Sequence, residues 1–149
     1  MKARDAAELW RRAGFRPPPD IDEPRFEKIA GTIRKKVDGI EFRSTLESRC
    51  YQLFNLWQQS GEIRNLELQP KFVLQPKMRR DGKALREITY TADFRFDRKF
   101  AGEWKPVVVD SKGFRTEVYR IKAKMFRALY PQFEFQEWDR ERLKRESSS

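Results

Sequence analysis

An acid and a base close a buried-looking run in "KPVVVDSKGF", residues 105–114: three valines lead into Asp110, and Lys112 follows one residue later. In an extended chain residues i and i+2 share a face. Asp110 and Lys112 therefore project together beyond the valines, at the C-terminal end of a strand, where sites in open α/β sheets tend to form. Asp93 lies in "TYTADFRF", within an alternating strand. A hairpin turn near 97–103 would pair that strand with the valine strand and bring both acids to one end. Two carboxylates can hold a divalent cation against a phosphate, and the cation polarises the phosphoryl oxygen and activates bound water. Lys112 beside them would orient that water or stabilise developing charge.

Spacing alone does not select this pair. An acid two residues before a lysine occurs at Asp81–Lys83, Asp97–Lys99, Glu103–Lys105 and Asp110–Lys112. The first two fall in predicted turns and the third stands just ahead of Pro106. Only the fourth ends an apolar run. An exposed ion pair at a strand end, worth little in stability, is the competing reading. Glu47 is a third acid with two readings. Ser44-x-x-Glu47 forms a capping box, and Glu47 also shares a helix face with Cys50, Tyr51 and Phe54, from which a carboxylate would reach over a sheet.

Composition narrows the chemistry. The chain has no histidine and one cysteine, Cys50. An imidazole base, a Ser-His-Asp triad, a Cys-cluster zinc site and an internal disulfide are all excluded. A metal here would need oxygen ligands, which points to Mg2+ or Mn2+. The net charge of +10 favours a polyanionic partner over a merely soluble basic protein. The N-terminus "MKARDAAELW" lacks an apolar segment and no stretch is long enough to span a bilayer, so the expectation is a cytoplasmic protein without a membrane partner.

These residues need elements to position them. Residues 3–13 have helical spacing and "PPPD" at 17–20 is a rigid loop. "TIRKKVDGIEF" reads as two short strands around Asp38-Gly39. Ser44 to Gly61 frames a helix with an apolar stripe of Leu46, Cys50, Leu53, Phe54 and Trp57. Residues 62–76 look extended, "RRDGK" carries a turn, and "REITYTADFRF" alternates as one strand. "TEVYRIKAKMFRALYP" is a helix from Thr116 to Pro131, expected to pack through Val118, Ile121 and Met125. "FEFQEW" is a last strand, and "DRERLKRESSS" a charged tail, read as mobile with a helical start as the alternative. A helix between "PVVVD" and "FEFQEW" suits a right-handed crossover joining parallel strands. The fold class is α/β, a mixed central β-sheet flanked by helices. The organisation is an N-terminal extension over 1–30, a core domain over 31–138 and the tail over 139–149.

Glu47 on a helix, Asp93 on a strand and Asp110-x-Lys112 on the next strand together resemble the PD-(D/E)XK nuclease superfamily. The stretch from Val37 to Trp138 looks more closely like a family of small phage and prophage proteins assigned to it. The phrases that carry this are "VDGIEFRSTLESRCYQL", "GEIRNLELQPKFVLQP", "ITYTADFRF", "VVVDSKGFRTEVYRIKAKMF" and "YPQFEFQE". The resemblance implies a restriction-endonuclease-like core and an Mg2+- or Mn2+-dependent DNA endonuclease. It implies metal ligation by Asp93, Asp110 and the Ser111 carbonyl, an assisting Lys112 and a helical acid at Glu47. It also implies a polar residue on the following helix, matched by Lys122; a lysine laid along the edge of an apolar face is the other reading. Ala92 stands where the superfamily has its variable proline. Similarity to Holliday junction resolvases and to the Tn7-type transposon endonuclease subunit implies branched DNA as substrate, in phage recombination, repair or replication inside a bacterial host. Resolution needs two active sites, hence a homodimer.

Basic residues supply candidate DNA contacts. Arg120, Lys124 and Arg127 recur at helical spacing, "IRKK" covers 33–36, and Arg79 and Arg80 precede a hairpin tip. Each set reads either as a solvated face or as phosphate contacts. Phosphate contacts carry no sequence information, which suits a structure-selective enzyme. A nicking or transposon-type end-cutting nuclease is the nearest rival. A non-catalytic DNA-binding subunit and an RNA-binding protein that stacks bases on Phe72, Tyr90, Phe94 and Phe96 are rivals of other classes.

Overall fold

The computed structural model describes residues 35–148, the short strand Arg25–Phe26 and the helical residue Arg11. The "PPPD" loop and the rest of the N-terminal helix lie outside the described residues. In chain order the elements are β1 (Arg25–Phe26), β2 (Lys35–Val37), β3 (Ile40–Phe42), α1 (Thr45–Ser60), β4 (Ile63–Leu68), β5 (Pro70–Gln75), β6 (Met78–Arg80) and β7 (Lys83–Leu85). They continue with β8 (Ile88–Thr91), β9 (Phe94–Phe100), β10 (Glu103–Ser111), α2 (Glu117–Leu129), β11 (Glu134–Trp138) and α3 (Arg140–Ser147).

The protein is mixed α/β. A four-stranded sheet runs β11-β10-β9-β4, with β10 and β11 parallel and the other neighbours antiparallel. A three-stranded antiparallel sheet runs β1-β5-β8, so residues read as extension contribute an edge strand. The pairs β2–β3 and β6–β7 form separate two-stranded ribbons. Three tight turns connect antiparallel neighbours at Asp38-Gly39, Asp81-Gly82 and Ala101-Gly102. Both central residues have positive φ in each, which is what the favoured two-residue hairpin turn requires.

Two stretches that read as continuous are each broken. Gln69, at φ 54°, divides 63–75 into β4 and β5. Ala92 and Asp93 divide the "REITYTADFRF" run into β8 and β9. The breaks face each other: Gln69 N–H donates to the Asp93 carbonyl at 2.8 Å and Ala92 N–H to the Pro70 carbonyl at 3.0 Å. Both chains thus leave one sheet for the other at the same level. Alternation survives the break, so Tyr90, Ala92, Phe94 and Phe96 are all buried; Asp93 sits in a bend rather than in a strand.

The four-stranded sheet separates two apolar clusters. One face carries Val107 and Val109 with Phe94, Phe96, Cys50, Phe54 and Trp138; the other carries Val108 with Phe72, Tyr90, Phe126 and Tyr130. Phe54 on α1 meets Phe94, Phe96 and Trp138 at ring-centroid distances of 5.1, 4.9 and 4.9 Å, contacts worth about 0.5–1.5 kcal/mol each beyond area burial. Ser44 caps α1 by accepting from Glu47 N–H at 3.1 Å, and Gly61 ends it in the left-handed region.

One expectation needs correction. Helix α2 does not pack through Val118 and Ile121, which are 63% and 54% exposed. It buries Ala123 and Phe126, with Tyr119 and Met125 partly covered, a face turned by about a quarter of a helical turn. The C-terminal segment takes its helical alternative, over Arg140–Ser147. Asp139 caps α3 by accepting from Arg142 N–H at 2.8 Å, and Leu143 is buried in the α1-side cluster. Among the described residues no helix is long and apolar enough to cross a membrane.

Candidate active site

The break at Ala92–Asp93 aims the Asp93 carboxylate at the end of β10. Asp93 N–H donates to the Val109 carbonyl at 3.2 Å. Its Oδ2 accepts from Ser111 N–H at 2.8 Å and from Ser111 Oγ at 2.6 Å. The acid is thereby pinned through one oxygen to the residue after Asp110.

Asp110 alternates with Val108 and so faces the Tyr90 side of the sheet. It is 1% exposed. Tyr90 donates its hydroxyl to Asp110 Oδ2 at 2.5 Å, while Oδ1 is buried without a hydrogen bond. Lys112 Nζ stands 3.3 Å from Oδ1, outside good hydrogen-bond alignment. Its ammonium also lies 4.8 Å from the centre of the Tyr119 ring, a cation–π contact. The Lys112 N–H is tied to the Trp138 carbonyl at 3.0 Å, which fixes the strand end from which the side chain leaves.

Glu47 reaches the same centre from α1 and is 3% exposed. Its two readings coexist: Glu47 N–H completes the Ser44 cap, and the carboxyl group is held by the Arg43 backbone N–H and the Gln69 side chain while feeling the charge of Asp93. Burial, then Asp93, push Glu47 up to about 7, against lowering by those hydrogen bonds and the Arg43 charge. Burial, then Asp93, push Asp110 up to about 8, although Lys112 and the Tyr90 hydroxyl oppose the rise. Cys50 is driven up to about 12 by burial and by Asp93 and Glu47. Like charges crowded in a low-dielectric corner need a proton or a cation between them.

A cation would suit this corner. Asp110 Oδ1 is a buried oxygen without a hydrogen bond, and the donors are hard oxygens, as Mg2+ or Mn2+ prefers. Among the described residues no three Asp, Glu or Cys side chains are grouped so that all could grip one ion. An Mg2+ ion held by one or two carboxylates, with water and phosphate completing its shell, needs no such group.

The structure thus brings Glu47, Asp93, Asp110, Ser111 and Lys112 together. A model of the family described as "Protein of unknown function (DUF1064)" matches residues 30–147. The chain belongs to the DUF1064 family. No curated protein and no solved structure matches it. The matched segment includes α3.

The remaining sequence-derived candidates in this DUF1064 chain are more dispersed. Arg120, Lys124 and Arg127 are exposed on α2. Arg79 and Arg80 are exposed on the β6–β7 ribbon. Lys122 is half-buried and shares a helix stripe with Tyr119, Met125 and Phe126, at three- and four-residue spacing. The side chains of "IRKK" lie outside the described residues. Three site residues escaped sequence reading. Tyr90 is hidden by the apolar alternation of its strand. Gln69 carries no signal for its left-handed backbone. Tyr119, whose ionisation is pushed up by burial and by Asp110 and Glu137, falls outside the helix face expected to pack.

Proposed function

We propose that this protein is an Mg2+- or Mn2+-dependent DNA endonuclease with a restriction-endonuclease-like PD-(D/E)XK core, acting on branched DNA in phage recombination, repair or replication. The observation that carries this reading is the convergence of Asp93, Asp110 and Lys112 at one strand end, with Asp110 Oδ1 left bare beside the Lys112 ammonium. A bound Mg2+ would supply polarisation of the phosphoryl oxygen and activation of a water. Asp93 and Asp110 would hold it, each already fixed through its other oxygen by Ser111 and Tyr90. Lys112 donates hydrogen bonds towards the attacking water and the phosphate, orienting one and stabilising charge on the other. The water gives up a proton to solvent as its oxygen bonds to phosphorus, the bond from phosphorus to the leaving sugar oxygen breaks, and that oxygen takes up a proton from solvent. Glu47, at its elevated pKa, holds or exchanges a proton at the rim of the same centre.

The exposed basic residues address phosphates and so respond to the shape of the backbone rather than to base identity. This favours a structure-selective enzyme, working as a homodimer where two strands must be cut, over a restriction enzyme. A nicking or transposon-type end-cutting nuclease uses the same centre. A non-catalytic DNA-binding subunit would not require a buried, mutually repelling acid pair. Cleavage of labelled linear duplex, flap, fork and four-way junction with Mg2+ or EDTA tests the proposal. Cutting only with metal, and strongest on the branched forms, is expected. Binding without cutting of any form would leave the non-catalytic reading.

A further inference from the structure

Beside the acidic centre, on the α1 face of the sheet, a cavity of about 350 Å3 opens between the N-terminal end of α1, the 111–113 segment and α3. Arg43 and Arg140 stand on its walls, with Ser44, Thr45, Ser111 and Gly113 between them, and no acid lines it. Among the described residues neither arginine enters an ion pair. Arg43 feels the charge of Glu47, but neither guanidinium is locked in a contact ion pair among these residues; both line a hollow of mixed walls that also includes Leu46, and such a pair is suited to an oxyanion with planar forks of donors. Ser44 Oγ already accepts from Glu47 N–H, which leaves its own proton to donate.

The cavity is continuous with the proposed catalytic centre through two of its residues. Ser111 anchors Asp93, and Arg43 holds Glu47 through its backbone N–H and its charge. In the other direction it shares Thr45, Leu46 and Arg140 with a wider groove of about 730 Å3 between α1 and α3. That groove adds Arg49 and Lys144, again without an acid. A groove with a floor of Leu46, Leu53, Leu56 and Leu143 and with Arg49, Arg140 and Lys144 as its charged residues therefore leads away from the acids along α1.

We propose that the Arg43–Arg140 cavity receives an internal backbone phosphate of DNA, and that the strand then continues into the α1–α3 groove. That this phosphate flanks the one cut rests on the nuclease reading; the cavity's fit to phosphate does not. It adds a DNA contact on the α1 side of the sheet, separate from the Arg120–Lys124–Arg127 face of α2.

The test is binding of fluorescent four-way junction and duplex DNA across a salt series, in calcium buffer, by wild-type protein and R43Q/R140Q, with melting curves on both. The double variant should melt as the wild type does, bind ~10-fold more weakly at ~0.1 M salt, and show a slope of log affinity against log salt smaller by about two. An unchanged slope and affinity in a folded double variant, or no binding by the wild type, would overturn the proposal. If the double variant melts early, R140Q alone decides, with an expected slope change of about one. Oligonucleotides with 5′-phosphate and 5′-hydroxyl ends should bind alike. A 5′-phosphate preference that R43Q/R140Q abolishes would overturn the internal assignment in favour of a terminal phosphate. Wild-type protein that binds with the full slope but cuts nothing in Mg2+ would sink the nuclease reading and leave the pocket standing.

Discussion

Asp110 meets opposing demands. Its burial and the neighbouring Asp93 disfavour the charged form, while Tyr90 and Lys112 favour it, so the metal-free protein carries an electrostatic penalty that a neutral isostere removes. Asp110→Asn keeps an acceptor for the Tyr90 hydroxyl, and at pH 8.5 in EDTA its melting temperature should equal or exceed that of the wild type. A clear drop would show that the carboxylate is a structural bond rather than a strained ligand. Glu47 serves the cap through its backbone N–H, while its carboxyl group is the part proposed for the site. Glutamine also serves a capping box, so Glu47→Gln should melt within ~2 °C of the wild type or above it, yet cut DNA ~100-fold more slowly. Equal turnover would confine Glu47 to capping.

At the scale of elements, α2 is the discriminating case. Phe126→Ala removes a fully buried ring from the cluster with Phe72 and Tyr130 and should cost about 3–5 kcal/mol in denaturant unfolding. Val118→Ala, on the solvent side, should change stability by less than about 0.5 kcal/mol; the reverse order would restore the packing face read from sequence. That face was misread because Val118, Ile121 and Met125 have helical spacing, as do Tyr119, Ala123 and Phe126, and only the sheet chooses between the two stripes. Local signals served better where one residue decides the backbone: Ser44 and Gly61 bounded α1, and Asp-Gly pairs marked two hairpins. The C-terminal helix was legible only as an alternative because its single apolar anchor, Leu143, is surrounded by charge. Of the site, Asp93, Asp110 and Lys112 were legible from a valine run and a hairpin turn. The bend at Gln69 and Asp93, a long-range pairing of two chain segments, leaves no periodic trace, so Asp93 read as a strand residue.

For the whole molecule the acidic centre links stability to pH and to metal. Glu47 and Asp110 titrate in the folded state at about 7 and about 8, above ordinary carboxylates near 4. Between these limits the folded state binds more protons than the unfolded one, so the stability this pair contributes is fully present below about pH 4 and is lost progressively as pH rises to about 8. In EDTA the melting temperature should drop by ~5 °C or more from pH 5 to pH 8.5, once the general charge effect seen in an Asp110→Asn/Glu47→Gln double variant is subtracted. Millimolar Mg2+ or Mn2+ should recover most of the loss at pH 8.5, because a cation then replaces the protons. A flat profile would mean that the acids are solvated and apart. The central claim, that Asp93 and Asp110 hold a cation with which Lys112 cuts DNA, is tested most directly by single-turnover cleavage of a labelled four-way junction. Wild-type protein should cut in Mg2+ and not in EDTA, and Asp110→Asn should lose at least ~1,000-fold in rate while binding the junction with near-normal affinity. Full activity in Asp110→Asn, or undiminished cutting in EDTA, would contradict it.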